Sequence, residues 1–464
     1  MDLGEKLELL ASSARYDASC ASSGSDRSAP RGGIGATMAA GVCHSWTSDG
    51  RCISLLKVLL SNSCRNDCAY CINRISSDVR RASLSADELA RLTIGFYRRN
   101  YIEGLFLSSG IFADPDIVMG SMTEVARLLR EREGFGGYIH LKAIPGCGEK
   151  ALRRAGLYAD RLSANIELPT ASSLALLAPQ KTGGEIIGAM RCMSAAESES
   201  RADRLRFRST PRFAPAGQST QIIVGASPEN DLTILRLAGS LYKKIGLRRV
   251  YYSAFVPVAA DPRLPVTSSP PLLREHRLYQ ADWLVRCYGF GVDEILDDAE
   301  PSLLPDLDPK TSWALRHPER FPVDALVADY ETLLRVPGIG VVGARRILAT
   351  RRSGAIRNED LGKMGIVMKR ARWFLSLGGR PIDGLPRGGA EDPENLRAIL
   401  ADRRDLTAVA APALRASPAL RASPALRASP ALRASPALRA SPALRASPAL
   451  RATGHPTQME FSFA

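Results

Sequence analysis

Three cysteines stand close together in the segment NSCRNDCAYC, at Cys64, Cys68 and Cys71. Their spacing is C-x3-C-x2-C, and they directly follow the apolar run ISLLKVLL. Thiolates from one short loop can bind three irons of a [4Fe–4S] cluster, and such clusters normally take four cysteine ligands. Because no fourth cysteine stands nearby, the triplet predicts a cluster with one iron open to a small molecule.

A zinc site is the alternative for the same thiols, with Cys43, His44 or Cys52 as an additional ligand. Zinc prefers four closed ligands and usually paired C-x2-C knuckles, and the sequence has no second knuckle. The spacing therefore favours the cluster. Cys20, Cys43, His44 and Cys52 could also bind a second cluster, shape a cofactor pocket, or be buried thiols.

Strands alternate with helices from residue 51 onward, which predicts a parallel sheet. The β-rich runs are Ile53–Leu60, Leu105–Ser109, Tyr138–Ala143, Leu162–Leu168, Thr220–Val224 and Val250–Val256. Helical periodicity lies between them, at Ser85–Asn100, Ile117–Arg132, Gly148–Gly156, Glu185–Ser194 and Glu229–Ile245. These units predict an α/β fold with a partial or full (β/α) barrel, whose active site lies at the carboxyl ends of the strands.

We expect five parts along the chain. They are an irregular N-terminal extension (1–50), the barrel (51–260), a connecting helical segment (261–325), a small all-α module (326–380), and a linker with a low-complexity tail (381–464). A short helix is expected at Asp2–Arg15, and further helices are expected at Leu272–Tyr288 and Asn395–Asp402. In the tail, ALRASP repeats six times, and its regular prolines forbid a continuous helix. We expect a disordered cationic spacer, or a recently expanded repeat without function.

The chain is basic, with 62 Lys and Arg against 48 Asp and Glu and a net charge of +14. The excess favours a polyanionic partner, although seven arginines of the tail account for half of it. No run reaches the ~18 apolar residues that cross a bilayer, and the N-terminus lacks the order of a signal peptide. We therefore expect a cytoplasmic protein without a membrane partner, whose nine cysteines are ligands or thiols, not disulfides.

A hairpin is predicted in LLRVPGIGVVGARRIL, with the turn at Gly338, Ile339 and Gly340 and with Arg345 and Arg346 soon after it. Glycine permits a close backbone approach, and the free N–H groups at the start of the second helix favour phosphate. The segment resembles the helix-hairpin-helix element, which binds the DNA backbone without reading sequence. LGKMGI, at 361–366, looks like a degenerate second copy. The alternative is an αα-hairpin used for packing or protein contact.

The cysteine triplet, with the aromatic Tyr70 before its last cysteine, resembles the radical S-adenosylmethionine (SAM) superfamily. Several segments are similar, in order and wording, to a bacterial radical SAM family assigned to DNA modification or repair. They are YDASCASSG, GVCHSWTSDGRCISLLK, CAYCINR, FLSSGIF, PAGQSTQIIVGA, the Trp283 helix and the hairpin. The resemblance covers most of residues 5–380. It implies that SAM binds the open iron and that an electron donor such as flavodoxin or ferredoxin drives its cleavage to a 5′-deoxyadenosyl radical.

The same resemblance implies where the cofactor lies along the chain. Ser108, Ser109 and Gly110 stand where the superfamily has a Gly-Gly-Glu-like segment, here without the acid. The stretch IIVGASPEND resembles the adenine-contacting segment, with Gly225 and Glu229 as its markers. A plain strand–turn–helix cap is the alternative for that stretch.

Three charged residues complete the implied cofactor contacts. Glu167 could bond the ribose or the amine of SAM, and its alternative is a solvated rim acid. Lys142 and Lys181 could meet the cofactor carboxylate, and their alternative is a place on the surface.

The C-terminal Gln458–Phe463, QMEFSF, resembles peptides that bind the replication sliding clamp, and a tethered tail suits recruitment. A chance match is the alternative. Together these features predict a radical SAM enzyme that modifies or repairs a nucleotide in DNA by hydrogen abstraction. The alternatives are an RNA-modifying radical SAM enzyme and a non-catalytic iron–sulfur DNA-binding protein.

Overall fold

The computed structural model describes residues 1–14, 42–46, 52–258, 261–267, 269–382 and 393–401. Cys20, the ALRASP repeat and Gln458–Phe463 lie outside the described residues. Cys43, His44 and Cys52 lie in described strands, but their side chains are not described. The predictions made for all of these residues stay predictions.

Seven strands form the main sheet. They are β1 (Val42–Trp46), β2 (Cys52–Leu59), β3 (Gly104–Ser108), β4 (Tyr138–Lys142), β5 (Arg161–Ser163), β6 (Gln218–Val224) and β7 (Arg249–Ala254). They lie side by side in chain order; β1 is antiparallel to β2, and every later pair is parallel. Because β7 does not pair with β2 among the described strands, the six parallel strands form a partial barrel. The predicted α/β fold is confirmed.

Helices connect the strands. In the first part of the chain they are α1 (Leu3–Ala14), α2 (Ala86–Arg98), α3 (Pro115–Arg127), α4 (Glu149–Tyr158), α5 (Ala171–Leu177), α6 (Gly183–Arg206) and α7 (Asp231–Ile245). A π-helical turn, Leu128–Arg132, extends α3. Their starts follow local sequence: Ser85 and Glu88 form a capping box on α2, and Asn230 caps α7 through the Thr233 N–H.

The side chains of the parallel strands divide into two layers. One face, including Leu107, Ile139 and Leu141 at 0% exposure, packs under the helices as the main core. Because side chains alternate along a strand, Phe106 and His140 point to the opposite face, the interior of the barrel. His140 Nε2 lies 2.9 Å from Ser163 Oγ there. The buried interior face thus holds polar side chains beside an apolar cluster of Leu55 and Phe106.

Two predicted elements differ from those observed. The N-terminal extension, predicted as irregular beyond a first helix, also contributes β1, which adds an antiparallel edge to the sheet. The run Leu162–Leu168 keeps strand pairing only as β5. Glu167 adopts a φ of +63°, which a strand cannot continue through, and a single bridge to Ile222 restores pairing there.

A second group of elements follows the barrel. They are α8 (Leu272–Cys287), α9 (Val292–Ile295), α10 (Pro309–Arg316), α11 (Tyr330–Arg335), α12 (Val341–Ser353), α13 (Asn358–Lys363), α14 (Met368–Ala371), α15 (Pro393–Leu400) and the strands β8 (Val323–Asp324), β9 (Leu375–Leu377) and β10 (Arg380–Pro381). A short 3-10 turn, Pro318–Arg320, lies between α10 and β8.

The three short strands form a small sheet that the sequence did not indicate. Gly378 and Gly379, both at positive φ, make the turn between β9 and β10. Their N–H groups donate to the Asp324 carboxylate at 3.1 and 2.7 Å, which ties the turn to β8. Among the described residues, no helix has the length and apolar character needed to cross a membrane.

Candidate functional site

Cys64, Cys68 and Cys71 lie in one loop at the carboxyl end of β2, which we call the ligand loop (62–77). The loop lies close to the residues that follow β3. The Gly110 N–H donates to the Ser61 carbonyl at 2.7 Å, and a Cβ on Gly110 would lie 2.2 Å from the Ser63 carbonyl oxygen. Only a glycine at position 110 therefore permits this approach.

Backbone N–H groups already point at two of the three sulfurs. The Ile111 N–H donates to Cys64 Sγ at 3.5 Å, and the Asn73 N–H donates to Cys71 Sγ at 3.4 Å. Cys68 is buried; burial raises the pKa of its thiol, and the nearby Lys181 ammonium opposes that rise. These two N–H groups can donate to the sulfurs of cluster ligands at Cys64 and Cys71.

Among the side chains that the structure describes, no group of three or more His, Cys, Asp and Glu converges on a point where one metal ion could bind. A [4Fe–4S] cubane does not require ligands that converge on one point, because each thiolate binds a different iron. The zinc alternative would draw on Cys43, His44 or Cys52, whose side chains are not described.

The ligand loop is fixed on the side of α5. The Ala69 N–H donates to the Leu177 carbonyl at 2.7 Å, and the Asp67 N–H donates to Gln180 Oε1 at 3.1 Å. These contacts bring the segment after α5 against Cys68 and Tyr70.

Four residues that are separated in the sequence come together at this loop. Lys181 Nζ lies 3.1 Å from Glu167 Oε1 and 3.3 Å from the Tyr70 hydroxyl, and it also lies over the Tyr70 ring. Lys142 Nζ lies 3.6 Å from the same Glu167 oxygen. We call Tyr70, Lys142, Glu167 and Lys181 the charged cluster.

The side chains of the charged cluster are buried together, so the charge of one shifts the pKa of another. Burial disfavours the Lys181 ammonium, but Glu167 and Tyr70 outweigh it, so the pKa of Lys181 lies well above its usual value. Burial, with the Glu167 carboxylate second, raises the pKa of Tyr70 well above its usual value. The raised pKa values keep Lys181 charged and Tyr70 neutral.

Glu167 reaches this place through an unusual backbone. Its φ is +63°, in the left-handed region that costs energy for most side chains. Hydrogen bonds on both sides hold it: its N–H donates to the Gln221 carbonyl at 2.9 Å, and its carbonyl accepts from the Ile223 N–H at 2.7 Å. Tertiary pairing with β6 therefore turns the Glu167 side chain toward the lysines.

The other predicted cofactor residues line the strand ends. Ser108 is buried and its carbonyl accepts from the Leu60 N–H at 2.8 Å, whereas Ser109 Oγ donates to the Gly110 carbonyl at 2.8 Å. Gly225 has a φ of +84°, and a Cβ there would lie 2.8 Å from Pro271. Glu229 Oε1 accepts from the Thr170 and Ser173 hydroxyls, both at 2.5 Å, so Glu229 lies at the N-terminus of α5.

Sequence reasoning missed two groups that hold the ligand loop. Arg81 donates to backbone carbonyls at both ends of it. Asp261 bridges Arg74 of the loop, at 2.5 Å, to Arg263, at 2.7 Å. No local pattern marks these contacts with the loop, because Arg81 donates to backbone carbonyls and Asp261 lies 187 residues from Arg74.

The predicted hairpin is formed by α11, a turn and α12. Gly338 has a φ of +86°, and a Cβ there would lie 2.5 Å from the Val367 carbonyl oxygen. Ile339 is buried, and its N–H and carbonyl are bonded to Val336 and to Lys310. We therefore place Ile339 in the packing of the hairpin, not among its ligand contacts. Gly340 precedes α12, and no side chain caps the helix start.

The segment predicted as a second copy, α13 to α14, packs against the hairpin. Gly365 has a φ of +82° and Ile366 lies against Gly343, and Arg346 Nη1 donates to the Met364 carbonyl at 3.2 Å. Residues 326–380 carry eleven Lys and Arg against four Asp and Glu. Arg345 is exposed beside the start of α12, and no carboxylate of the described residues pairs with it. The arrangement suits an anionic ligand.

No family model matches the sequence, and no curated protein matches it. Solved structures match part of the chain. The [FeFe]-hydrogenase maturase HydG from Carboxydothermus hydrogenoformans is 16% identical over 49% of this chain and 50% of its own, with a TM-score of 0.34. Streptococcus suis SuiB is 9% identical over 48% and 45%, with a TM-score of 0.34. A radical SAM methyltransferase from Sphaerobacter thermophilus is 18% identical over 56% and 76%, with a TM-score of 0.35. The chain spans about half the length of the first two.

Proposed function

We propose that this chain is a radical SAM iron–sulfur enzyme that acts on DNA. The ligand loop carries the proposal: it holds three cysteine thiols, Cys64, Cys68 and Cys71, at the carboxyl edge of a parallel sheet. This donor set suits a [4Fe–4S] cluster, since each thiol can bind a different iron. The N–H groups aimed at Cys64 and Cys71 support that role, because hydrogen bonds to sulfur tune such clusters.

S-adenosylmethionine is the small molecule that we propose for the remaining iron. When bound and reduced there, it supplies a 5′-deoxyadenosyl radical. Lys142 and Lys181 can meet its carboxylate, and Glu167 can accept from its amine or a ribose hydroxyl. Because these charges are already fixed and buried together, they need little rearrangement to bind a zwitterionic amino-acid group. An electron donor such as flavodoxin or ferredoxin completes the reaction.

DNA is the substrate class that the helical module supports. The uncapped start of α12, with Arg345 exposed beside it, offers N–H groups and a positive charge to a phosphate. Contacts of this kind position a protein on a backbone without reading sequence. A nucleotide would have to leave the stack to reach the barrel mouth.

Anaerobic reconstitution with iron and sulfide tests the chemistry. We expect about four irons per chain and, after reduction with SAM, 5′-deoxyadenosine. Cys68→Ala should abolish both, whereas Cys192→Ala, in α6 and outside the loop, should keep both. A wild-type chain that binds four irons yet never cleaves SAM, with or without DNA, would establish the non-catalytic iron–sulfur protein instead.

Binding of labelled duplex DNA, single-stranded DNA and tRNA, measured by anisotropy at matched salt, tests the substrate. Tighter binding of duplex DNA supports the proposal. Preference for tRNA would replace it with the RNA-modifying alternative, because the hairpin itself reads little beyond phosphate.

A further inference from the structure

One arginine outside the cysteine motif holds both ends of the ligand loop. Arg81 Nη1 donates to the Asn62 carbonyl at 2.6 Å, before the first cysteine, and to the Asn73 carbonyl at 2.9 Å, after the last one. Its Nη2 donates to the carbonyls of Arg74 at 2.7 Å and Ser77 at 2.9 Å. All three cysteines lie between the two carbonyls that Nη1 joins.

The four terminal N–H bonds of the guanidinium are therefore matched by four acceptors. Asn62, at the start of the loop, also binds the residues on both sides of Arg81. Its Nδ2 donates to the Arg80 carbonyl, and its Oδ1 accepts from the Ala82 N–H, both at 2.8 Å. The planar fork of arginine suits this arrangement, because its donors diverge in fixed directions. A lysine has three donors on one nitrogen and cannot donate to all four carbonyls.

The positive charge of Arg81 is also not neutralised by an ion pair with any described residue. No carboxylate of the described residues pairs with it, and its four acceptors are neutral backbone carbonyls. A cluster held by three thiolates adds negative charge to the loop that Arg81 closes. A fixed cation where the two ends of the loop meet favours the three cysteines as negatively charged thiolates.

We propose that Arg81 is a positioning residue for the iron–sulfur site: it closes the ligand loop so that the three thiolates are held ready for the cluster. The proposal rests on the proposed function only in taking Cys64, Cys68 and Cys71 as cluster ligands. Arg81 touches carbonyls and not the reacting atoms, so it acts through the loop.

The test uses the full-length protein as Arg81→Lys, Arg81→Met, and the control variants Arg80→Lys and Arg80→Met at the exposed neighbouring residue. Each is reconstituted, and the rate of iron loss to a chelator is measured. Removing support around metal ligands typically costs about 10–100-fold in metal affinity, so we expect iron loss to accelerate by that order in both Arg81 variants. The Arg80 variants should match the wild type.

Two further readouts separate positioning from general stability. The reduction potential should become more negative in Arg81→Met, which loses the cation, and change less in Arg81→Lys, which keeps it. Added methylguanidinium should slow iron loss from Arg81→Met. Unfolding of the apoproteins by urea shows whether each variant is folded, and Arg81→Lys serves if Arg81→Met is not.

The outcomes distinguish the two proposals. If the wild type takes up no cysteine-dependent iron, the proposed function fails and this inference fails with it. If the wild type holds its cluster and Arg81→Lys loses iron no faster, with an unchanged cluster spectrum, this inference alone is overturned.

Discussion

The ammonium of Lys181 lies 3.1 Å from the carboxylate of Glu167, and the two side chains are only 11% and 5% exposed. The pair lies beside the loop that carries Cys68, and Lys142 adds a second ammonium at 3.6 Å. Buried pairs of this kind are weak evidence of stabilisation, because desolvation offsets attraction. Breaking one is nevertheless costly, since the remaining charge is left buried without its partner.

Glu167→Gln should therefore destabilise the apoprotein strongly. Loss of one partner of a buried pair typically costs about 3–5 kcal/mol in the free energy of unfolding, and here two ammoniums lose the same carboxylate. Urea unfolding measures the change. Glu149→Gln, which breaks the exposed pair with Arg153, is the control, and surface pairs contribute about 0–1 kcal/mol. Equal effects of the two variants would contradict the role given to Glu167.

Gly110→Ala should displace the ligand loop without unfolding the barrel. The new methyl group would meet the Ser63 carbonyl oxygen at 2.2 Å, and overpacking of this kind costs about 1–3 kcal/mol. We expect reduced iron uptake after reconstitution. Gly120→Ala, in α3 with nothing within 4 Å, should take up iron as the wild type does; normal uptake by Gly110→Ala would refute the close approach.

Gly338→Ala should loosen the helical hairpin. Its φ of +86° and the 2.5 Å approach to the Val367 carbonyl oxygen leave no room for a side chain. Strained backbone positions cost about 1–3 kcal/mol each, so DNA binding should weaken together with the thermal stability of the module. Gly354→Ala is the matched control, because Gly354 is extended and its neighbourhood is open. A Gly338→Ala protein as stable as that control would exclude this packing.

Arg345→Glu should weaken DNA binding equally on all sequences. A phosphate contact carries no sequence information, and losing one lowers the salt slope of binding by about 1. Anisotropy titrations over a range of salt concentrations measure both effects, with the exposed Arg99→Glu as a control of equal charge change. An unchanged salt slope in Arg345→Glu would remove α12 from the interface.

Asp261 should make the fold sensitive to acid. Hydrogen bonds from Arg263, with Arg74 contributing less, hold the pKa of the Asp261 carboxyl well below its usual value. A depressed carboxyl pKa stabilises the fold above the unfolded value, near about 4, and this contribution is lost as the pH falls below it. Asp261→Asn should therefore lower the free energy of unfolding at pH 7.

The same difference between Asp261→Asn and the wild type should shrink towards pH 2.5. Asp78→Asn, at an exposed carboxyl, serves as the control. Urea unfolding at several pH values measures the profile, and a difference that stays constant with pH would show that Asp261 acts without its charge.

Local sequence patterns were sufficient to predict the strands, helices and turns that surround the site. The apolar run before Cys64 becomes β2, and Ser85 with Glu88 starts α2 as a capping box. Gly338 takes the positive φ that a tight hairpin turn requires. Each of these signals depends on residues within one turn or strand, so the sequence determines them without knowledge of the neighbours.

The sequence by itself determined the strand–helix alternation and the cysteine loop, because hydrophobic periodicity and ligand spacing are local properties. Only the tertiary structure decided which charges meet beside that loop. Tyr70 and Lys181, 111 residues apart, come together because parallel strands bring their carboxyl ends to one edge. Pairing with β6 forces the turn at Glu167, and Arg81 finds its carbonyls only after the loop has folded back. Backbone carbonyl groups are the same at every residue, so no pattern of side chains could have predicted the contact between Arg81 and the loop.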